Sequence, residues 1–224
     1  MSPNRRTAAL AGTLFLVTEV AAIGGLALYQ PLLDGAPGTL APGAGTSALL
    51  GALCELVLVA AVIGTGAALF PVVRRRHEGA AVGYLCLRLL EAVVITVGIL
   101  GVLTLLTLRQ DAAEAAAVGD AGADRALVTL HDWTFLLGPN VALGLNTALL
   151  AYLMFRTRLV PRPIAVLGLI GGPLICISAA AVAAGLYEQV SVAGSVAALP
   201  VFAWELALAA RLLTKGFDPA RAAA

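Results

Sequence analysis

Long apolar stretches alternate with short polar segments along the whole chain. A hydrocarbon layer of about 30 Å requires roughly 20 helical residues to cross it, and six stretches of this sequence are long and apolar enough. The segments between them hold residues that end helices or that lipid excludes, such as the glycines and prolines within 31–42 and the turn at Pro161-Arg162-Pro163. We therefore predict six membrane-spanning helices, over residues 7–29, 47–73, 80–108, 126–155, 163–187 and 192–214.

The composition supports this prediction. Hydrophobic residues make up 60% of the chain and charged residues 12%, whereas soluble domains contain about 45–50% apolar and about 25% charged residues. We expect an all-α protein, a single polytopic six-helix bundle over residues 1–224, with membrane lipid around it. The 14 basic and 13 acidic residues give a formal net charge of +1. Such a small charge does not attract nucleic acid, so we expect no nucleic-acid partner.

Basic residues are distributed unequally between the two ends of the predicted bundle. Eleven of the 14 Lys and Arg residues fall on one side of a six-span arrangement, while Arg109 and Arg125 fall on the other and Arg88 lies inside a span. Because short cytoplasmic loops retain Lys and Arg, we predict that both termini are cytoplasmic. The polar stretch from Arg109 to Arg125 is then a solvated outer loop. The eleven are Arg5, Arg6, Arg74, Arg75, Arg76, Arg156, Arg158, Arg162, Arg211, Lys215 and Arg221.

Ionisable side chains within the predicted spans are the main functional signal. If all were ionised, five carboxylates and one guanidinium would give the interior a charge of −5 + 1 = −4. A single charge near mid-membrane costs at least about 2.5–3.5 kcal/mol. Some of the carboxyls must therefore hold protons, be hydrated in a cavity or be neutralised by a bound cation. The residues are Glu19, Glu55, Glu91, Asp132 and Glu205, with Arg88 as the cation.

Helical spacing indicates which of these side chains share a face. We expect Arg88 to bind a carboxylate on a facing helix, because its planar fork suits a carboxylate there, and other glutamates to carry protons. Hydrogen bonding between helices, without any further function, is the alternative for each polar group. Two such stripes of residues are Tyr84, Arg88, Glu91, Ile95 and Gly98 on span three and Asp132, Phe135, Pro139, Ala142 and Asn146 on span four. Asn140 lies on a different face of span four.

No pattern predicts a cofactor or a metal. Three dispersed cysteines and two histidines give neither a disulfide framework nor metal-ligand spacing. The glycines at Gly64-Thr65-Gly66 and within 168–172 lack a preceding strand, so they indicate close helix packing instead of phosphate loops.

Several short motifs of this sequence resemble those of a known family. Through them the chain resembles the bacterial integral membrane family called domain of unknown function 4386 over nearly its whole length. The resemblance implies six helices in a bacterial cytoplasmic membrane and supplies no activity; Pro163 stands where the family pattern has Trp. A looser likeness, of design and not of motifs, is to small integral membrane terpene cyclases. The motifs are Asn4-Arg5-Arg6-Thr7-Ala8, Cys54-Glu55-Leu56, Arg88-Leu89-Leu90-Glu91, Asp132-Trp133, Arg158-Leu159-Val160-Pro161-Arg162, Trp204-Glu205-Leu206 and Lys215-Gly216-Phe217-Asp218-Pro219.

Three functions fit these observations. The one we favour is an intramembrane enzyme for a hydrophobic, isoprenoid substrate, because a protonated membrane carboxyl can serve as a general acid. A proton-coupled carrier or cation-binding protein, working as a homodimer, is the second. The third is an accessory or sensor protein. For the enzyme, the expected catalytic residues are Glu205 and Glu91 as acids, with Arg88, Glu55 and Asp132, and the expected substrate-binding residues are Trp133, Trp204, Tyr84, Phe135 and Glu19.

Overall fold

A computed structural model describes residues 3–115 and 119–218, so Pro219 and Arg221 lie outside the described residues. The described chain is helical and contains no strand, and six of its helical stretches are long and apolar enough to cross a membrane. The predicted all-α fold with six spans is confirmed, and the chain is a multi-pass membrane protein. The helices are α1 (Pro3–Leu33), α2 (Ala44–Val73), α3 (Glu78–Glu114), α4 (Ala121–Leu136), a π-helical segment (Leu137–Ala142), α5 (Leu143–Thr157), α6 (Arg162–Ala183) and α7 (Val192–Thr214).

The six spans form a closed ring. Each span packs against the next one along the chain, with α4, the π-helical segment and α5 acting as one continuous span, and α7 packs against α1. The guanidinium of Arg5 donates hydrogen bonds to the carbonyls of Leu212, Leu213 and Thr214 at the end of α7. We call the end of the bundle that carries these contacts the terminal face. That it faces the cytoplasm stays a prediction.

The fifth span is shorter than predicted. The apolar sequence continues to residue 187, but α6 ends at Ala183. Gly185 follows in the left-handed conformation, with a φ of 74°. Its N–H donates to Val182 and the N–H of Leu186 donates to Ala181, which is the hydrogen-bond pattern of a Schellman helix end. The local glycine therefore ends this helix before the apolar sequence does.

The predicted solvated loop between Arg109 and Arg125 is also wrong in its extent. The helix α3 continues to Glu114 and α4 begins at Ala121, so both arginines lie within helices. Arg109 is buried and forms two hydrogen bonds with Asp124, from Nε to Oδ1 at 2.8 Å and from Nη2 to Oδ2 at 2.7 Å. Its Nη1 donates to the carbonyl of Leu32 at 2.5 Å. This buried ion pair joins α1, α3 and α4 at the end of the bundle opposite the terminal face.

Glycines allow α5, α6 and α7 to approach each other closely, as the sequence indicated. A Cβ atom on Gly172 would lie 2.5 Å from the carbonyl oxygen of Gly144 and 2.7 Å from the backbone nitrogen of Ala148. A Cβ atom on Gly168 would lie 2.7 Å from the ring of Trp204. Small residues are what membrane helices need where their backbones nearly touch.

The buried apolar side chains form two clusters, one toward each end of the bundle. On α3, Tyr84 belongs to the cluster near the terminal face and Ala92 to the other. On α1, the same division falls between Phe15 and Ala21. Glu19 on α1 and Arg88 and Glu91 on α3 lie in the layer between the two clusters. The tertiary fold therefore places a polar layer near the middle of the bundle.

Candidate functional site

Arg88 is the centre of this polar layer. It lies on the inner face of α3 and is 1% exposed. Its Nη1 lies 3.1 Å from Oε2 of Glu91, one turn along the same helix, and its Nη2 lies 3.3 Å from Oε1 of Glu205 on α7. The guanidinium therefore reaches across to a facing helix, and it joins α3 to α7 through two carboxylates.

The remaining surroundings of Arg88 hold it in place. Its Nε donates a hydrogen bond of 3.2 Å to the hydroxyl of Tyr84. The guanidinium carbon also lies 5.4 Å from the ring centre of Phe15 and 5.7 Å from that of Tyr84, within the range of cation–π interactions. Tyr84, expected to bind substrate, instead supports the arginine. Each of the three guanidinium nitrogens of Arg88 thus donates a hydrogen bond to a protein group.

Asn146 belongs to the site, although the sequence analysis did not name it as a site residue. Its Nδ2 donates a hydrogen bond of 2.6 Å to Oε2 of Glu91, and the side chain is fully buried. Among the described residues, no group donates a hydrogen bond to its Oδ1. The signal was present in the sequence, because Asn146 lies on the predicted inner stripe of its span. An asparagine alone, however, does not distinguish a site residue from a helix-joining one.

Glu19 provides the third carboxyl. It projects from α1 and is less buried than Glu91 and Glu205. It lines a cavity together with Arg88, Glu91 and Glu205. Among the described ion pairs, Arg88 binds Glu91 and Glu205 but not Glu19.

A cavity of about 220 Å³ lies against these side chains. Glu19, Arg88, Glu91 and Glu205 line one side of it, and most of the remaining wall is apolar. Two of its lining residues are outward-facing, Ile23 on α1 with 59% of its surface exposed and Phe202 on α7 with 37%. The cavity therefore opens sideways between α1 and α7, toward the surrounding lipid. Its other apolar lining residues include Leu26, Leu58, Val62, Ile95, Leu143 and Val201.

The family model described as domain of unknown function (DUF4386) matches residues 10–216. The chain belongs to the DUF4386 family. The family suggested by the motifs is thereby confirmed, and its description assigns no activity. No curated protein sequence and no solved structure matches this DUF4386 chain significantly. The likeness to terpene cyclases stays a prediction.

The π-helical segment forms another wall of the DUF4386 cavity. Phe135 precedes this segment and Pro139 and Asn140 lie within it, and all three line the cavity. A π-helix holds more residues per turn than an α-helix, so the α-helical period does not predict its faces. That period placed Asn140 away from the inner stripe, and the structure corrects this. Segments of this kind occur frequently at functional sites.

Glu55, expected among the catalytic residues, lies apart from the central carboxyls. It lies near Tyr29 and lines a separate pocket of about 10 Å³ together with His131 and Thr134. The Tyr29 hydroxyl and Nδ1 of His131 are both buried, and neither has a hydrogen-bond partner among the described residues. This pocket is about the size of one water molecule.

The helix packing places three further expected site residues away from the central cavity. Asp132 and Trp133 lie on the outer side of α4 and line a vestibule of about 490 Å³, whereas the preceding residue, His131, faces inward. Trp204 is fully buried against Gly168 and does not line the central cavity. Among the described residues, no group of three His, Cys, Asp or Glu side chains could hold a metal ion.

Proposed function

We propose that this DUF4386 protein is an intramembrane enzyme of the bacterial cytoplasmic membrane. It acts on a neutral isoprenoid lipid by protonating it, with Glu19 as the general acid. The observation that carries the proposal is a third carboxyl, that of Glu19, at an apolar cavity that opens toward lipid and also holds Arg88 with its two carboxylate partners.

The charge balance assigns the proton to Glu19. The cavity holds three carboxyls and one guanidinium, so full ionisation would give −3 + 1 = −2. Arg88 binds the carboxylates of Glu91 and Glu205 directly. Ionising Glu19 as well would add an unpaired charge beside Glu205, which is unfavourable away from bulk water. We therefore replace the expectation that Glu205 or Glu91 is the acid: both act as ionised neighbours, and Glu19 holds the proton.

The proposed reaction needs no co-reactant. The Glu19 carboxyl transfers its proton to one carbon of a carbon–carbon double bond, whose π electrons form the new C–H bond. The adjacent carbon becomes a carbocation beside the negative cluster, and the rings of Phe135 and Phe202 are available for cation–π stabilisation. Loss of a proton from a neighbouring carbon to Glu19 forms a new double bond and restores the acid. The net result is isomerisation, or cyclisation if an internal double bond attacks the cation first.

The size and charge of the cavity restrict the substrate. Pockets that enclose a whole small molecule measure about 300–1,000 Å³, and this cavity measures about 220 Å³. One end of an elongated lipid therefore enters, while the rest lies between α1 and α7 in the membrane. The carboxylates disfavour a negatively charged head group in the cavity, so the entering end is neutral hydrocarbon.

A proton-coupled carrier for organic cations is the second candidate. The observation that favours it is a second opening: Phe135 lines both the central cavity and the vestibule of Asp132 and Trp133 at the end opposite the terminal face. Movement of Phe135 would connect the two. A cation entering from the vestibule would then displace the proton of Glu19.

The test uses deuterium transfer. The purified protein in lipid discs is incubated in D₂O with neutral lipids extracted from bacterial membranes. The masses of the isoprenoids are compared before and after the incubation. We expect deuterium in wild type and in Glu114→Gln, whose glutamate is exposed at the end of α3, and none with Glu19→Gln. Absence of label from every wild-type lipid would refute the enzyme. Proton release on addition of organic cations, lost in Glu19→Gln, would then support the carrier.

A further inference from the structure

A second cavity, on the terminal face, is lined by arginines. It measures about 200 Å³ and lies between the α5–α6 turn and the end of α7. Unlike the central cavity, it lies at the ends of the helices, at the level expected for lipid head groups. We call it the basic pocket, and it is lined by Arg158, Val160, Pro161, Arg162, Arg211 and Asp218.

The basic pocket has an excess of positive charge. Three guanidiniums and one carboxylate give it a formal charge of +3 − 1 = +2. No ion pair among the described residues involves Arg158, Arg162 or Arg211. The Nε of Arg211 is buried and has no hydrogen-bond partner within the described chain. A buried donor without an acceptor is unfavourable, so an acceptor bound in the pocket beside this atom would be favoured.

The backbone at Arg158 gives a second, independent observation. Arg158 ends α5 with φ 55° and ψ 30°, and it is the only residue other than glycine with a positive φ among those described. Glycine adopts this conformation at helix ends without strain, whereas an arginine does so at a conformational cost. We therefore expect the side chain of Arg158 to have a functional role that offsets this cost. Here that side chain lines the basic pocket.

Backbone contacts hold together the two segments that form the basic pocket. The N–H of Asp218 donates a hydrogen bond of 2.9 Å to the carbonyl of Leu159, which fixes the segment after α7 against the α5–α6 turn. Leu159 and Val160 are buried in the apolar cluster near the terminal face. The helix α6 begins at Arg162, so the positive end of its dipole is directed toward the same pocket.

We propose that the basic pocket binds a phosphate group. Arginine forks match phosphate oxygens with paired, charge-assisted hydrogen bonds, and three arginines line this one small space. Basic pockets between membrane helices are known to hold lipid head groups. The phosphate comes either from an anionic phospholipid or from a soluble phosphate ester. The proposal is independent of the chemistry in the central cavity.

The experiment measures binding by native mass spectrometry of the detergent-purified full chain. The probes are phosphatidylglycerol, phosphatidylcholine with the same acyl chains, and glycerol phosphate as the soluble ester. Two variants remove pocket charges, Arg158→Gly and Arg211→Gln. The control Arg75→Ala removes an exposed positive charge from the same face. Arg158→Gly should also retain or raise the melting temperature, because glycine relieves the backbone strain.

The outcomes separate the two sources and can refute the site. For a lipid source, we expect phosphatidylglycerol to bind more tightly than phosphatidylcholine, with a loss of about tenfold in either pocket variant and none in the control. For a soluble source, glycerol phosphate binds with the same pattern and phosphatidylglycerol shows no preference. The proposal is wrong if neither phosphate probe binds selectively. It is equally wrong if both pocket variants, correctly folded, bind as wild type does.

Discussion

Replacement of Arg88 by methionine tests the view that one guanidinium stabilises two buried carboxylates in the polar layer. Methionine approximates the length of the arginine stem and is apolar, so Arg88→Met removes the charge while limiting the void it leaves. The variant leaves Glu91 and Glu205 buried without their cation, since both bind Arg88 directly. We expect a large loss of stability from this single change.

The size of the loss can be worked from the contacts. Two charge-assisted hydrogen bonds at about 1.5–3 kcal/mol each give roughly 3–6 kcal/mol, and removal of one partner from a buried ion pair costs about 3–5 kcal/mol. The two ranges agree, so we expect a loss of about 3–5 kcal/mol in the free energy of unfolding. Combining Arg88→Met with Glu91→Gln and Glu205→Gln removes the unpaired charges. This triple variant should be more stable than Arg88→Met by at least about 2 kcal/mol.

The free energy of unfolding can be measured in mixed micelles, with sodium dodecyl sulfate as the denaturant and circular dichroism as the signal. Cooperative, reversible transitions are required for wild type, the single variant and the triple variant alike. The reasoning fails if Arg88→Met lies within about 1 kcal/mol of wild type, because exposed sites give changes of that size. It also fails if the triple variant is less stable than the single one, since removing the stranded carboxylates would then bring no gain.

Two further predictions concern the framework around the site. Asp124→Asn should lower the free energy of unfolding by about 3–5 kcal/mol, because it leaves Arg109 buried without its carboxylate. Its control, Asp111→Asn at an exposed position, should change it by less than about 0.5 kcal/mol in the same micelle assay. Gly172→Ala should cost about 1–3 kcal/mol, since the new Cβ would meet backbone atoms of α5 at 2.5–2.7 Å. Gly79→Ala meets nothing within 4 Å and should be neutral or stabilising, by at most about 1 kcal/mol; equal effects of the two glycine changes would contradict the packing described here.

The candidate site was only partly predictable from the residues. Arg88 and Glu91 could be placed on one inward face, because α3 is a regular helix and its 3.6-residue period holds throughout. The same period failed in the fourth span, where the π-helical segment changes the number of residues per turn. Asp132 was therefore assigned to the interior, which instead holds its neighbour His131. Apart from Pro139, no local feature of the sequence indicated the π-helical segment.

The sequence by itself determined the membrane environment and the six spans, because transfer of apolar residues into lipid depends on composition and length along the chain. It also determined that too many carboxyls lie within the spans for all of them to be ionised. Only the tertiary structure decided how the charges pair. Glu205 has no basic residue near it on its own helix before Arg211, and its cation comes from α3, 117 residues away in the sequence. Such a pairing depends on which helices close the ring, and no local pattern along the chain encodes that choice.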